Sequence, residues 1–360
     1  MNSDLESRVN LIINLGIALQ EIVDNQFQPT FDPGHALARV KNDFCEKCTL
    51  ASLNNPWFTQ DNVRIAVSSW AAVLNSDDIE KWLKPYLPDL EADAPAKNIG
   101  IVMAGNVPMV GLHDLLCAII SGHKVIARLS SNDIELMTGI YDLITALEPE
   151  IGQGITLTEN RLQGFDAIIA TGSNNTARYF EYYFSKYPHI IRKNRNGVAV
   201  LTGDEDTEAL TKLGVDICTY FGLGCRNISK VFIPEGFAPE KLYSAVEPFN
   251  NVLFSHFKYM NNHSYHRSIY LLNNKKHLDN NVFILTESEQ YSSPIPVLFY
   301  EFYKDLESLM KKILQDDELI QCIATDAFTN DKTVPLGCTQ SPGLGDYADG
   351  IDTLQFLIDL

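Results

Sequence analysis

Apolar residues recur at three- and four-residue steps through the first part of the chain: Leu11, Ile12, Leu15, Leu19 and Ile22, then Val63, Ala66, Val67 and Trp70. That spacing puts them on one helix face, so residues 5 to about 88 are predicted to be α-rich. The stretch Asn55-Pro56-Trp57-Phe58-Thr59-Gln60-Asp61-Asn62 interrupts it, with Asp61 or Asn62 as the expected cap of the next helix. After Asp93-Ala94-Pro95-Ala96 the pattern turns to short continuous apolar runs. Residues 98–105 (Ile99, Ile101, Val102, Met103) read as a buried strand, a helical stretch follows through Leu115, Leu116, Ile119 and Ile120, and residues 122–129 read as a second strand. A helix over 133–147, a strand over 167–170 and a helix through Phe184 continue the alternation. A second α/β region begins near residues 197–201 and runs past 294–299. Alternation of this kind implies largely parallel sheets, with ligands at the carboxyl ends of the strands.

Composition narrows the setting. A chain of 360 residues, 45% hydrophobic, buries a large core, and its net charge of −18 argues against a nucleic-acid binder or a protein held on an anionic membrane. Its first residues are acidic and polar, unlike a secretory signal, and the most apolar region, 99–129, is broken by Asn106, His113, Asp114, His123 and Lys124. A cytoplasmic protein without a membrane span is therefore expected. The seven cysteines form no disulfide-scaffold density. Cys45-x-x-Cys48 has no second pair at zinc-ribbon spacing and lies beside Phe44, Leu50 and Leu53, as on an amphipathic helix. His256, His263 and His266 read as a polar surface or hydrogen-bonded loop, so no metal site is expected.

The candidate chemistry lies elsewhere. In Gly222-Leu223-Gly224-Cys225-Arg226-Asn227 a thiol stands among glycines, with Arg226 and Lys230 as cations that would favour a thiolate; nucleophile and buried structural thiol are both open readings. Thr171-Gly172-Ser173, where a strand gives way to a helix, suits either a pyrophosphate site or a plain helix cap. Asn106, in Gly105-Asn106-Val107-Pro108, projects into the cleft or forms a turn, and Arg128 at the end of the second strand meets an anion or solvent.

Taken in order from about Trp57 to the tail, these segments resemble the acyl-CoA reductase family typified by the fatty-acyl reductase of bacterial bioluminescence, a branch of the aldehyde dehydrogenase superfamily. Gly105-Asn106-Val107-Pro108 resembles that superfamily's Trp-Asn-Phe-Pro, and residues 122–131 resemble its Gly-Asn-x-Val-Val-x-Lys-Pro-Ser-Glu. Thr171-Gly172-Ser173 matches the Thr-Gly-Ser of the cofactor site, and residues 222–234 match the segment with Gly-Gln-x-Cys. The resemblance implies an α/β, aldehyde-dehydrogenase-like fold. It divides the chain into a helical segment over 1–95, an NADP-binding Rossmann-type domain over 96–195, a catalytic domain over 196–335 and a tail over 336–360. It further implies Cys225 as acyl-accepting nucleophile and Asn106 as oxyanion donor, with Arg128, Ser131, Gly172 and Ser173 at the cofactor. The substrate would be an acyl-CoA or other acyl thioester, and the assembly a homo-oligomer.

Two departures sharpen that reading. Ser131 stands where a glutamate would bind the ribose 2′-hydroxyl, which favours NADPH over NADH. Residues 191–197 (Ile-Arg-Lys-Asn-Arg-Asn-Gly) carry no carboxylate where dehydrogenases hold the water-activating glutamate, as suits an acyl-enzyme kept for reduction. Arg192, Lys193 and Arg195 read either as charge for CoA phosphates or the thiolate, or as a solvated turn. Tyr291–Val297 only loosely echoes the superfamily's Glu-Ile-Phe-Gly-Pro, without its glutamate. Reduction of an acyl phosphate, a cofactor-independent cysteine acyltransferase or thioesterase, and a catalytically silent scaffold are the competing readings.

Overall fold

A computed structural model of the chain describes residues 2–92 and 95–360; Met1, Asp93 and Ala94, the last two at the predicted change of pattern, lie outside the described residues. Two compact units emerge: residues 1–193 together with 343–360, and residues 194–342.

The first unit is built on a parallel sheet of β1 (Asn98–Val102), β2 (Lys124–Arg128), β3 (Ile155–Thr158), β4 (Ala167–Thr171) and β5 (His189–Arg192), in the order β3-β2-β1-β4-β5. Ile99, Ile101, Val125, Ala127 and Ile169 are buried in it, and the apolar helix Leu112–Ile120 adds Leu115, Leu116 and Ile119 to the same core. The predicted first strand is shorter than expected, ending at Val102, and Gly122 and His123 precede β2 in a turn.

The amino-terminal helices Ser3–Asp24, Ala36–Asn54 and Gln60–Val73 join this core, burying Leu5, Ile12, Leu15, Leu19 and Ile22 from the first. Ala36–Asn54 runs against the helix Ile134–Leu147, where a Cβ on Gly139 would stand 2.5 Å from the Phe44 ring. The cap of Gln60–Val73 is Thr59, whose hydroxyl accepts from Asn62 N at 3.2 Å, and not Asp61 or Asn62. Cys45 and Cys48 face inward on Ala36–Asn54, and burial pushes the Cys45 thiol up to about 11; Leu50 and Leu53 instead face solvent. Residues 343–360 return to this unit: Trp82 Nε1 donates to Tyr347 Oη at 2.8 Å, Tyr86 Oη to Asp352 Oδ2 at 2.6 Å, and Leu354 and Leu357 are fully buried.

The second unit holds a seven-stranded sheet: β6 (Asn196–Val200), β7 (Ile228–Pro234), β8 (Leu278–Asp279), β9 (Ile284–Glu287), β10 (Val297–Tyr303), β11 (Ile320–Ala324) and β12 (Thr333–Val334). Its order is β12-β11-β6-β7-β10-β9-β8, parallel except for β8 against β9. The helices Thr207–Cys218, Phe257–Leu272 and Leu306–Gln315 belong to it. The histidines expected in a loop or on the surface lie on helix Phe257–Leu272: His256 caps it by accepting from Tyr259 N, and His263 is buried 2.9 Å from Asp279 Oδ1. Among the described residues no helix is long and apolar enough to cross a membrane.

Candidate active site

In the second unit the chain leaves helix Thr207–Cys218 through three successive left-handed residues: Tyr220 at φ 52°, Phe221 at 57° and Gly222 at 78°. Glycine takes this conformation freely, whereas each aromatic residue gives up about 1–2 kcal/mol, so the surroundings must hold the path in place. Buried Asn227 does much of that. Its Oδ1 accepts from Gly224 N at 2.8 Å, and its Nδ2 donates to the carbonyls of Asp216 (3.0 Å) and Thr219 (2.8 Å). With Asn227 N bonded to Gly224 O at 3.1 Å, residues 224–227 form a β-turn tied at both ends, and Cys225 is its second residue.

Two further contacts seat the turn. A Cβ on Gly197 of β6 would lie 2.6 Å from both the Arg226 and Asn227 carbonyl oxygens, so only glycine lets this backbone lie against the strand. Arg226 Nε donates to Thr339 O at 2.6 Å. Thr339 is held in turn by Asp216, whose carboxylate accepts from Gly337 N (2.6 Å), Thr339 N (2.9 Å) and Thr339 Oγ1 (2.8 Å).

Cys225 is exposed, as is Cys338, while the other five thiols are buried; burial pushes up the pKa of Cys48, Cys117 and Cys218 and so disfavours their thiolates. Of the two cations expected to favour the thiolate, Lys230 is held by partners of its own, while Arg226 keeps its charge beside a neutral carbonyl partner. Lys230 is fully buried, paired with Glu301, bonded to Glu289 O at 2.8 Å and set 4.6 Å from the Tyr291 ring centre; a charge compensated this way puts little field on Cys225. Arg226 is committed to the Thr339 carbonyl. Asp216, Asn227 and Thr339 were missing from the sequence reading. The available signal was Asp216 itself, a carboxylate among Leu210, Leu213 and Ile217 on an apolar helix face.

In the first unit the parallel neighbours β1, β2 and β4 end on one edge, which gathers Asn106, Arg128, Ser131, Gly172 and Ser173 there. Asn106, Arg128 and Ser131 are exposed. A Cβ on Gly105 would lie 2.3 Å from Ser130 Oγ, so the loops after β1 and β2 touch. Ser173 caps the helix Asn174–Phe184: its Oγ accepts from Thr176 N at 3.3 Å and meets Thr176 Oγ1 at 2.9 Å. The first-turn N–H groups at residues 174 and 175 precede any intrahelical partner. Arg192, expected to serve CoA phosphates or to lie in a solvated turn, does neither. It is buried at the end of β5, paired with Asp114 at 2.5 Å and bonded to Thr353 Oγ1 at 2.7 Å, because a buried guanidinium requires a counter-charge. Lys193 pairs with Glu181 at 2.8 Å, and Arg195 donates to Ile320 O at 3.5 Å.

The Asn106 loop is fastened by Asp133. This buried carboxylate accepts from Met109 N, a left-handed residue, at 2.7 Å, while its Oδ1 has no partner; burial raises its pKa well above the usual range. A carboxyl whose folded pKa is raised binds its proton more tightly in the folded state, so its contribution to stability is lost as pH rises from the unfolded value through the folded one. Asp133→Asn keeps an acceptor for Met109 N and removes the charge. Thermal melts across pH should show Asp133→Asn gaining over the parent at alkaline pH, by about 2–4 °C per kcal/mol recovered, and converging with it in acid. A constant offset across pH would refute the account.

No protein-family profile matches the sequence, and no curated protein matches it. Solved structures do. Aldehyde dehydrogenase 21 from Physcomitrella patens, in complex with the reaction product succinate, is 12% identical with a TM-score of 0.61 over 99% of this chain and 87% of that one. An aldehyde dehydrogenase of Mycobacterium tuberculosis complexed with NAD+ is 12% identical, TM-score 0.58, over 86% and 70%. One from Bacillus cereus, also an NAD+ complex, is 13% identical, TM-score 0.59, over 86% and 69%. At such identity the likeness is one of fold: the chain is an α/β protein of aldehyde-dehydrogenase-like architecture with a helical amino-terminal segment.

Proposed function

We propose that the protein is an NADPH-dependent oxidoreductase that reduces an acyl-CoA thioester to an aldehyde through an acyl-enzyme on Cys225. The observation that carries this reading is the exposed thiol on a turn tied by Asn227 and seated on Gly197, since a nucleophile must be both accessible and fixed.

A dinucleotide fits the residues of the first unit. The order β3-β2-β1-β4-β5 reverses direction between β1 and β4, where ligands of open parallel sheets bind, and the start of helix Asn174–Phe184 offers N–H groups to a pyrophosphate. Gly172 and Ser173 would hold that group, Arg128 and Ser131 the adenosine ribose, and the want of an acidic side chain at 131 favours a 2′-phosphate. NADPH, held by these residues, would supply the hydride for reduction.

Cys225 thiolate attacks the thioester carbonyl, the C–S bond to CoA breaks, and CoA departs as a thiolate that takes up a proton. After reduction the hemithioacetal oxyanion collapses, the aldehyde leaves, and Cys225 regains its thiolate. The Cys225 N–H is assigned to the oxyanion at each tetrahedral stage, and Asn106 enters as a second donor only through the resemblance to the acyl-CoA reductases. The lack of a carboxylate in residues 191–197 spares the acyl-enzyme from base-assisted hydrolysis.

Mass spectrometry of the protein incubated with acyl-CoAs tests the scheme. An acyl increment on the Cys225 peptide should appear and then vanish on adding NADPH, with aldehyde released. Acylation that persists, with no thermal shift on adding NADPH, would assign the thiol to transfer or hydrolysis instead.

A further inference from the structure

Helix Phe257–Leu272 meets the second unit along one side. Its buried residues, Tyr259, His263 and Tyr270, share that side at 3.6 residues per turn. On the opposite side Phe257, Tyr265, Leu271 and Leu272 fall within about 120° of arc and are 60%, 61%, 60% and 82% exposed. Between them lie Asn261, Ser264 and Ser268, exposed as well, so the outward face carries no charge. The solvent face of a surface helix ordinarily holds charged and polar residues. Here the centre is apolar and aromatic, and the cations stand at its margins: Lys258 on one flank and, on the other, Arg267, paired with Asp279 at 3.0 Å. That is the make-up of a protein interface.

Val252 and Phe254, exposed on the helix Asn250–Ser255 that leads into this one, extend the surface. Together the six apolar side chains present roughly 700 Å² per copy, near the about 800 Å² that each partner gives to a standard interface.

Charge and spacing select what covers it. Residues 248–278 contain no Asp or Glu, the longest such stretch in a chain that holds 46 of them and carries a net charge of −18. Two copies of so acidic a chain meet with least repulsion where acids are missing. The face also matches itself. In an antiparallel pair about a two-fold axis between residues 264 and 265, Phe257 meets Leu272 of the second copy, Asn261 meets the second copy's Ser268, and Ser264 meets the second copy's Tyr265. Large side chains meet at the ends, and a ring meets a small residue at the centre. The polar pair has a bond to make, because Ser268 Oγ donates to Ser264 O at 2.7 Å and keeps its lone pairs for an Asn261 amide. Lipid would leave Asn261 and the serines facing hydrocarbon without partners, which makes it the poorer cover.

We propose that a second copy of this chain covers this face, the two helices running antiparallel about that axis. The full chain should then sediment, at micromolar concentration, with twice its mass of 40.3 kDa. Phe257→Glu and Leu272→Lys each place an unpaired charge at both ends of the helix pair and should weaken the dimer by about 100-fold or more. Neither harms the isolated helix, since an acid in the first turn and a cation in the last suit its dipole, and circular dichroism should show both variants folded. Mixing the two should restore the dimer: at one end the new carboxylate faces the new ammonium, and at the other Phe257 still faces Leu272. Tyr182→Glu, at an exposed tyrosine of helix Asn174–Phe184 in the first unit, is the control and should leave the dimer intact.

A monomeric parent, a dimer indifferent to both charges, or one lost in Tyr182→Glu overturns the proposal. Failure of the mixed variants to pair overturns the two-fold and the proposal with it. A monomeric parent that binds phosphatidylglycerol vesicles, and ceases to with Phe257→Glu, would assign the face to a membrane instead.

Discussion

Cys225→Ala should lower acyl-CoA reduction by at least about 10⁴-fold, the scale on which enzymes lose rate when a covalent nucleophile is removed. The melting temperature should hardly move. Cys225 is exposed at a turn tied by its neighbours' backbone and by Asn227, and substitutions at such surface positions stay within about 0.5 kcal/mol. Cys338→Ala supplies the control, as the other exposed thiol, and should retain activity within about twofold of the parent. Appreciable reduction by Cys225→Ala, or its loss in Cys338→Ala, would transfer the chemistry to another thiol. Stopped-flow measurement of CoA release separates acylation from later steps and places the defect at the first.

Gly197→Ala should be nearly as damaging by a different route. The new methyl would stand 2.6 Å from two carbonyl oxygens of the chain running from the thiol into β7, and backbone has no flexible end with which to yield. Overpacking of this kind costs about 1–3 kcal/mol of stability. The larger consequence is displacement of the turn: a shift of about 1 Å at a reacting group can cost about 100-fold in rate. We expect kcat to fall by about that factor while the protein remains folded, as read by circular dichroism and a moderately lowered Tm. Full activity in Gly197→Ala would show that the turn does not depend on its seat against β6.

Much of this architecture was legible in the sequence, and what was not has a common cause. β1, β2 and β4 stood out as apolar runs because they are flanked on both sides by other strands. β3 and β5 went unread because they are the edges of the same sheet, where solvent permits Thr156 and His189 to interrupt the pattern, and β5 ends in Arg192, whose buried charge is met by Asp114. The thiol segment was readable from its local spacing of glycine and cysteine. Its supports were not, since Asp216 reaches Gly337 and Thr339 across more than a hundred residues, and no local pattern encodes such a bond. The basic cluster at 192–195 misled for the converse reason: Arg192 looks like a free cation in sequence because its partner, Asp114, lies on a distant helix.

The division of the chain bears on how the protein is made. The first unit is interrupted after Lys193 and resumes only at Gly343, so Leu344, Leu354, Leu357 and the Tyr347 partner of Trp82 are translated only after the whole of the inserted unit. Nascent chains acquire structure from the amino end, yet here the helices and sheet of the first unit must wait for those later side chains to close their core. The inserted unit, whose strands and helices all fall within residues 194–342, is under no such delay. The unit bearing the thiol is therefore able to mature before the amino-terminal one, reversing the order in which the two begin to be translated.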